Sequence, residues 1–145
     1  PEVMVLQRCC WVDEAIANRT LAIGPFYEDL DEIRGWLNDW RTDGLWLDGR
    51  LLGMVRTRSV GTVGHIGRLA MVPDLRGLGA GGWLLRHAEA VLGPECETVV
   101  LFTGSHSERN IGHYLRAGYE LASTDEAAGT VELTKTLVPL APCRP

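Results

Sequence analysis

The hydrophobic and polar positions of this chain change period several times, and each change marks an element. Val3 to Cys9 alternates in part, with Val3, Val5 and Gln7 on one side and Met4, Leu6 and Arg8 on the other, which predicts a strand. Asp13 can cap a helix through Ile16 and Ala17 toward Leu21, stopped near Gly24-Pro25. Asp29 and Glu32 have capping-box spacing ahead of Leu30, Ile33, Leu37 and Trp40, which recur at helical intervals. Leu45–Leu47 and Leu51–Arg58 flank Asp48-Gly49, a hairpin signal. Gly61 and Gly64 interrupt the pattern, and His65 to Val72 reads as a strand ended by Pro73. Ala80, Trp83, Leu84, Ala88, Val91 and Leu92 lie on one face of a helix that stops at Gly93-Pro94. Thr98 to Phe102 is a continuous apolar run of the kind buried on both faces. Ser107 is placed to cap a helix carrying Ile111, Tyr114 and Leu115, with Gly118 its natural stop. Tyr119–Ala122 and Thr130–Thr136 complete the set as two strands. The order β-α-α-β-β-β-α-β-α-β-β predicts an α/β (α+β) domain: a mixed sheet of about seven strands with four helices on its faces.

Length and composition narrow the function classes. A chain of 145 residues predicts one domain, spanning 1–138, with a loose proline-rich tail at 139–145. A net charge of −5 argues against a nucleic-acid partner and leans toward a cationic small molecule. No apolar run approaches the roughly 18 residues of a membrane helix, and residues 1–10 lack the pattern of a signal peptide. Cys9, Cys10, Cys96 and Cys143 have neither metal-knuckle nor disulfide spacing, so a reducing, cytoplasmic setting is expected and no metal is called for.

The chemistry concentrates in Met71-Val72-Pro73-Asp74-Leu75-Arg76-Gly77-Leu78-Gly79-Ala80-Gly81-Gly82, where a buried strand enters a glycine-dense turn that opens a helix. Helix-start amides lack intrahelical acceptors, glycines admit close approach, and the dipole favours an anion, so this segment suits a pyrophosphate. A P-loop would need Gly-Lys-Ser/Thr where Gly81-Gly82-Trp83 stands. A dinucleotide fingerprint is formally present as Gly77, Gly79 and Gly82, but Glu97 precedes its strand instead of closing it.

Arg76-x-x-Gly79-x-Gly81 after a strand ending Val72-Pro73 resembles the acetyl-CoA motif of the GCN5-related N-acetyltransferase (GNAT) superfamily. Ser107 to Tyr119 resembles that superfamily's second motif, a helix with a tyrosine four residues before Gly-Tyr. The likeness covers Leu51 to Tyr119 well, while the first fifty residues agree in element order alone. It implies a GNAT-like splayed sheet and an N-acetyltransferase that moves the acetyl group of acetyl-CoA to a primary amine directly in a ternary complex. It further implies cofactor contacts from Ala70, Met71, Val72, Arg76, Gly77, Leu78, Gly79, Ala80 and Gly81. The superfamily's usual asparagine is Ser107 here, with Asn110 one turn later; either can hold the pantetheine arm. Tyr114 is the implied acid toward the thiol, since a phenol of pKa ~10 can donate to a thiolate.

Other roles stay open. His65 is a base candidate, on a face shared with Gly67, Leu69 and Met71, or a structural histidine. Glu28 and Glu32, within the run Glu28, Asp29, Asp31 and Glu32, can draw in a cationic amine, yet capping and the helix dipole explain acids there equally well. Arg68 reads as an acceptor contact or half of a buried ion pair. Trp36, Trp40 and Trp46 can form an aromatic wall. No cysteine falls near either motif in sequence, which favours direct transfer over an acyl-cysteine. A non-catalytic acyl-CoA-binding module and a transferase of longer acyl groups are the alternatives. The acceptor is a small-molecule or protein amine, and the resemblance allows a homodimer.

Overall fold

The computed structural model describes residues 1–93 and 95–137; the expected tail at 139–145 and Cys143 lie outside them. Six strands form one sheet: β1 (Arg41–Leu47), β2 (Arg50–Val60), β3 (Val63–Met71), β4 (Thr98–Gly104), β5 (Glu120–Asp125) and β6 (Thr130–Thr136). Their spatial order is β1-β2-β3-β4-β6-β5, and every pairing is antiparallel except β3 with β4. The helices are α1 (Glu2–Cys10), α2 (Val12–Asn18), α3 (Gly24–Tyr27), α4 (Leu30–Asp39), α5 (Ala80–Leu92) and α6 (Glu108–Arg116). Among the described residues no helix is long and apolar enough to cross a membrane.

Several elements follow directly from local chemistry. Asp48 and Gly49 both take positive φ, 48° and 79°, the tight turn that Asp-Gly favours between twisted strands. Asp29 accepts from the amides of Asp31 and Glu32 while Glu32 accepts from the Asp29 amide, so the capping box forms as the spacing predicts. Gly64 does not break β3. It lies beneath Leu92, whose Cδ1 would sit 2.8 Å from an added Cβ.

The first element corrects the sequence expectation. Val3 to Cys9 is helical, and the sheet has six strands instead of seven. Val3, Leu6 and Cys10, spaced by three and four, turn one face onto Leu51, Leu52, Met54 and Ala70, so packing selects the helix over a weak alternation. Gly24-Pro25 likewise starts the short α3 instead of ending a helix, because proline suits the first helical turn. α2 ends earlier, where Arg19 turns left-handed at φ 50°. Two cores result. α5 and α6 bury Val55, Ile66, Leu84, Leu85, Val99 and Leu101 on one face of the sheet, and α1 covers the other.

Candidate active site

The site begins where the sheet comes apart. β3 pairs with β4 only at Val63–Thr98, Gly64–Val99 and His65–Val100. β4 stays paired with β6 along its whole length, whereas β3 follows β2. The cause is a bulge: the β2–β3 register slips between Met54–Ala70 and Arg56–Gly67, and Arg68 takes φ 50°. A bulge bends its strand away from a neighbour. Here it opens a V whose β3 arm, from Ile66 to Met71, has no partner toward β4. The gap is a cleft of about 1030 Å³.

That bulge also resets the faces of β3. Strict alternation would place His65, Gly67, Leu69 and Met71 together. Instead Ile66, Leu69 and Met71 pack toward the α5 core, while Ala70 packs with Leu6 and Met54 on the opposite face. Arg68 points to that second face as well, against Glu28 and Trp11. One extra residue is enough to reassign every side chain beyond it.

At the mouth lies the glycine turn. Gly77 and Gly79 hold φ of 84° and 80°, and Gly79 caps α5. Among the described residues the consecutive amides from Gly77 to Gly82 have no backbone acceptor; the first bond of the helix runs from the Trp83 amide to the Gly79 carbonyl. Gly77, Gly79 and Gly81 line the cleft. Leu78 and Ala80 do not. Val72 is turned away: its amide donates to the Leu52 carbonyl at 2.8 Å and its side chain is buried under α1. Arg76 pairs with Asp13 and donates to the Cys10 carbonyl at 3.3 Å, tying the α1–α2 corner to the turn. Arg109 approaches the same Asp13 at 3.9 Å, so two guanidiniums share one carboxylate and leave the mouth positive. Positive charge, free amides and a helix N-terminus together suit a diphosphate.

Deeper in, Tyr114 lines the cleft from α6, 8% exposed and edge-on to Tyr119 at 5.9 Å. Burial, and then the negative charge of Glu14, push its phenol well above the ordinary range. It stays protonated through neutral pH. His113 beside it is pushed below the usual histidine range, first by burial and then by Arg116 and Arg109.

Ser107 and Asn110 both line the cleft, and both are engaged by α2. Ser107 stands at the α6 N-cap position, but its hydroxyl accepts from Asn18 Nδ2 at 2.8 Å instead of capping the helix. Asn110 donates to Glu14 at 2.9 Å. Glu14 also accepts from the Gly104 amide at 2.8 Å and the Thr103 hydroxyl at 3.3 Å. Glu14 and Asn18 were not singled out from sequence, although their i, i+4 spacing puts both on one face of α2.

The remaining candidates fall elsewhere. His65, the last β3 residue paired with β4, is not among the cleft-lining residues. Glu32 is exposed and committed to the capping box. Glu28 accepts from Arg68, from Gln7 Nε2 at 2.9 Å and from Trp36 Nε1 at 3.3 Å. Arg68 is half of this partly buried ion pair and also lines the cleft.

Cysteine placement corrects one expectation. Cys10, remote from both motifs in sequence, lines the cleft, and its thiol donates to the Met71 carbonyl at 3.1 Å. Burial pushes that thiol up to about 11, against the opposing pull of Arg76. A protonated thiol is a poor nucleophile. The described residues hold no group of three metal-ligating side chains.

The sheet is mixed and splays between its two parallel strands, with an amide-rich glycine turn at the mouth and a tyrosine in the wall. The acetyltransferase (GNAT) family model matches residues 6–119, and the chain belongs to that family. Among curated proteins none matches the chain. Solved structures share the fold at low identity. An acetyltransferase from Streptococcus agalactiae 2603 aligns with a TM-score of 0.75 at 17% identity, covering 94% of this chain and 90% of that one. The PaiA N-acetyltransferase from Thermoplasma acidophilum, in complex with coenzyme A, gives 0.72 at 14%, covering 93% and 91%. The ribosomal-protein-S18-alanine N-acetyltransferase from Escherichia coli gives 0.71 at 15%, covering 98% and 90%.

Proposed function

We propose that this protein moves an acetyl group from acetyl-CoA to a primary amine by direct transfer in a ternary complex. One observation carries the reading: the unpaired amides of Gly77 to Gly82 lead straight into the unpartnered arm of β3, with Tyr114 among the residues lining the same cleft. Bound acetyl-CoA supplies an activated thioester carbonyl. The turn amides hold a diphosphate, and the glycines at 77 and 79 keep the positive φ that aims them. The free edge of β3 offers main-chain hydrogen bonds to an extended arm, with Ala70 and Met71 in the cleft wall. Ser107 and Asn110 face that arm from α6. Tyr114 keeps its proton at Oη, the position from which it can be donated to a departing thiolate. The high thiol pKa of Cys10 disfavours an acyl-cysteine and supports direct transfer.

Calorimetry with coenzyme A and a thiol-release assay over a panel of amines test the reading. Tyr114→Phe is expected to lower kcat by about 100-fold or more, as general-acid groups do, while coenzyme A affinity stays within threefold. Unchanged turnover removes Tyr114 from the mechanism. Absence of heat with coenzyme A overturns the whole reading, and binding without turnover on any amine leaves a non-catalytic acyl-CoA module. Succinyl-CoA in parallel assays reads the preference for acyl length.

A further inference from the structure

Beside the cleft, where β2, β3 and α4 meet, the local charge is opposite to that of the chain. The protein has 19 acids against 14 Lys and Arg, yet among the described residues only Arg68 of the three arginines gathered here is paired with a carboxylate. Arg56 and Arg58 alternate on one face of β2, and the bulge turns Arg68 onto that face too. Arg56 lies between Trp36 and Trp40, 4.7 and 4.4 Å from the ring centres, and Arg58 stacks on Trp40 at 4.6 Å. Glu28 is the acid of the cluster, and it is spent on Arg68, Gln7 and Trp36.

Arg56 has no acceptor among the described residues, and the Nε atoms of Arg56 and Arg68 are both buried without a hydrogen-bond partner. Burial pushes Arg56 down to about 10, with Arg68 adding to the effect and Glu28 opposing it. Desolvated guanidinium donors facing no acceptor are costly, and a bound anion relieves that cost. Access exists. Arg68 and Gly67 both line the cleft, and an added Cβ at Gly67 would lie 3.0 Å from Arg56 Nε and 3.7 Å from Trp40. Arg56 thus packs directly behind Gly67, its guanidinium filling the space a side chain there would take, while Arg68 itself faces the cleft.

We propose, resting on the acyl-transfer reading, that the acceptor amine carries a carboxylate, that Arg68 seats it, and that the unpaired charge of Arg56 behind Gly67 adds to the attraction. The guanidinium fork matches a carboxylate in two hydrogen bonds, and the indole walls leave little room for hydration. Arg68 lines the same cleft as Ala70 and Met71, so a carboxylate on Arg68 and an amine at the thioester belong to one small molecule, as in an amino acid. A polyamine or aminoglycoside would set its own cations against the two arginines.

The test has two arms. With saturating acetyl-CoA, kcat/KM is measured for amino acids, for their carboxamides and for spermidine. The free acids should exceed the amides by about 10–100-fold, the worth of one charged hydrogen-bonded contact. Arg68→Gln should bring that ratio within threefold, and Arg56→Gln should lower it, while coenzyme A binding stays unchanged. The second arm needs no catalysis: N-acetyl-L-alanine and N-acetyl-L-phenylalanine should change the fluorescence of Trp11, Trp36 and Trp40 saturably, and their amides should not. Equal use of acids and amides, or preference for spermidine, overturns the proposal, as does equal binding of acid and amide probes. Carboxylate binding without turnover on any amine sustains the subsite while the transferase reading fails.

Discussion

Replacing Gly81 by alanine separates what the glycine turn does for the fold from what it does for a ligand. Gly81 is the second residue of α5, its φ is not positive, and an added Cβ would meet only Met71 Cγ, at 3.8 Å, an ordinary contact. Alanine is the better helix former, by up to about 1 kcal/mol. For a chain of this size that is a rise in Tm of ~2–4 °C. Gly35, mid-helix in α4 with nothing within 4 Å of an added Cβ, supplies a control with the same gain in propensity and no place in the cleft. At Gly81, which lines the cleft, the methyl group would crowd a diphosphate approaching the unpaired amides. Loss of one charge-assisted hydrogen bond there costs about 1.5–3 kcal/mol, or roughly 10–100-fold in affinity. Both variants should therefore melt higher than the wild type, and only Gly81→Ala should lose coenzyme A binding by calorimetry. Equal affinity in the two variants would refute the assignment of these amides to a diphosphate.

Cys10→Ser is expected to keep kcat within about twofold, because a serine hydroxyl can still donate to the Met71 carbonyl and the buried thiol is protonated; loss of turnover would revive covalent transfer. In the wild type, iodoacetamide at pH 8 should alkylate exposed Cys9 before Cys10, as peptide mass mapping would show. Glu28→Ala strips Arg68 of its partner and should destabilise the fold by about 1–3 kcal/mol in denaturant titrations, the cost of leaving a partly buried charged donor unsatisfied. Tyr114 and Tyr119 both have phenols raised by burial in the folded state. The unfolded chain loses these protons first, so their contribution to stability holds below the ordinary tyrosine pKa of ~10 and falls as pH rises past it. Urea midpoints measured from pH 8 to 11 should begin to decline at about pH 9, where the Cys10 thiol of the unfolded chain ionises, and fall more steeply above about pH 10.

Where short-range chemistry decides an element, the sequence was enough to read it. The Asp-Gly hairpin, the Asp29–Glu32 capping box, the switch to helical period at Ala80 and the amide-rich turn before it all depend on residues within a few positions of one another. The exchange of strand for helix at Val3–Cys9 has the opposite cause. A weak alternation competes there with a helical face, and the choice rests on Leu51, Leu52 and Met54, more than forty residues away.

What the sequence determined by itself is the amide-rich glycine turn and the helix bearing Tyr114, because glycine conformation and helix periodicity are local properties. Tertiary structure alone decided the rest. A single bulge at Arg68 parted β3 from β4 and turned a third arginine toward Arg56, α2 brought Glu14 and Asn18 onto α6, and α1 delivered the Cys10 thiol to Met71. These are contacts between distant segments, set by which faces bury together, and no spacing along the chain encodes them.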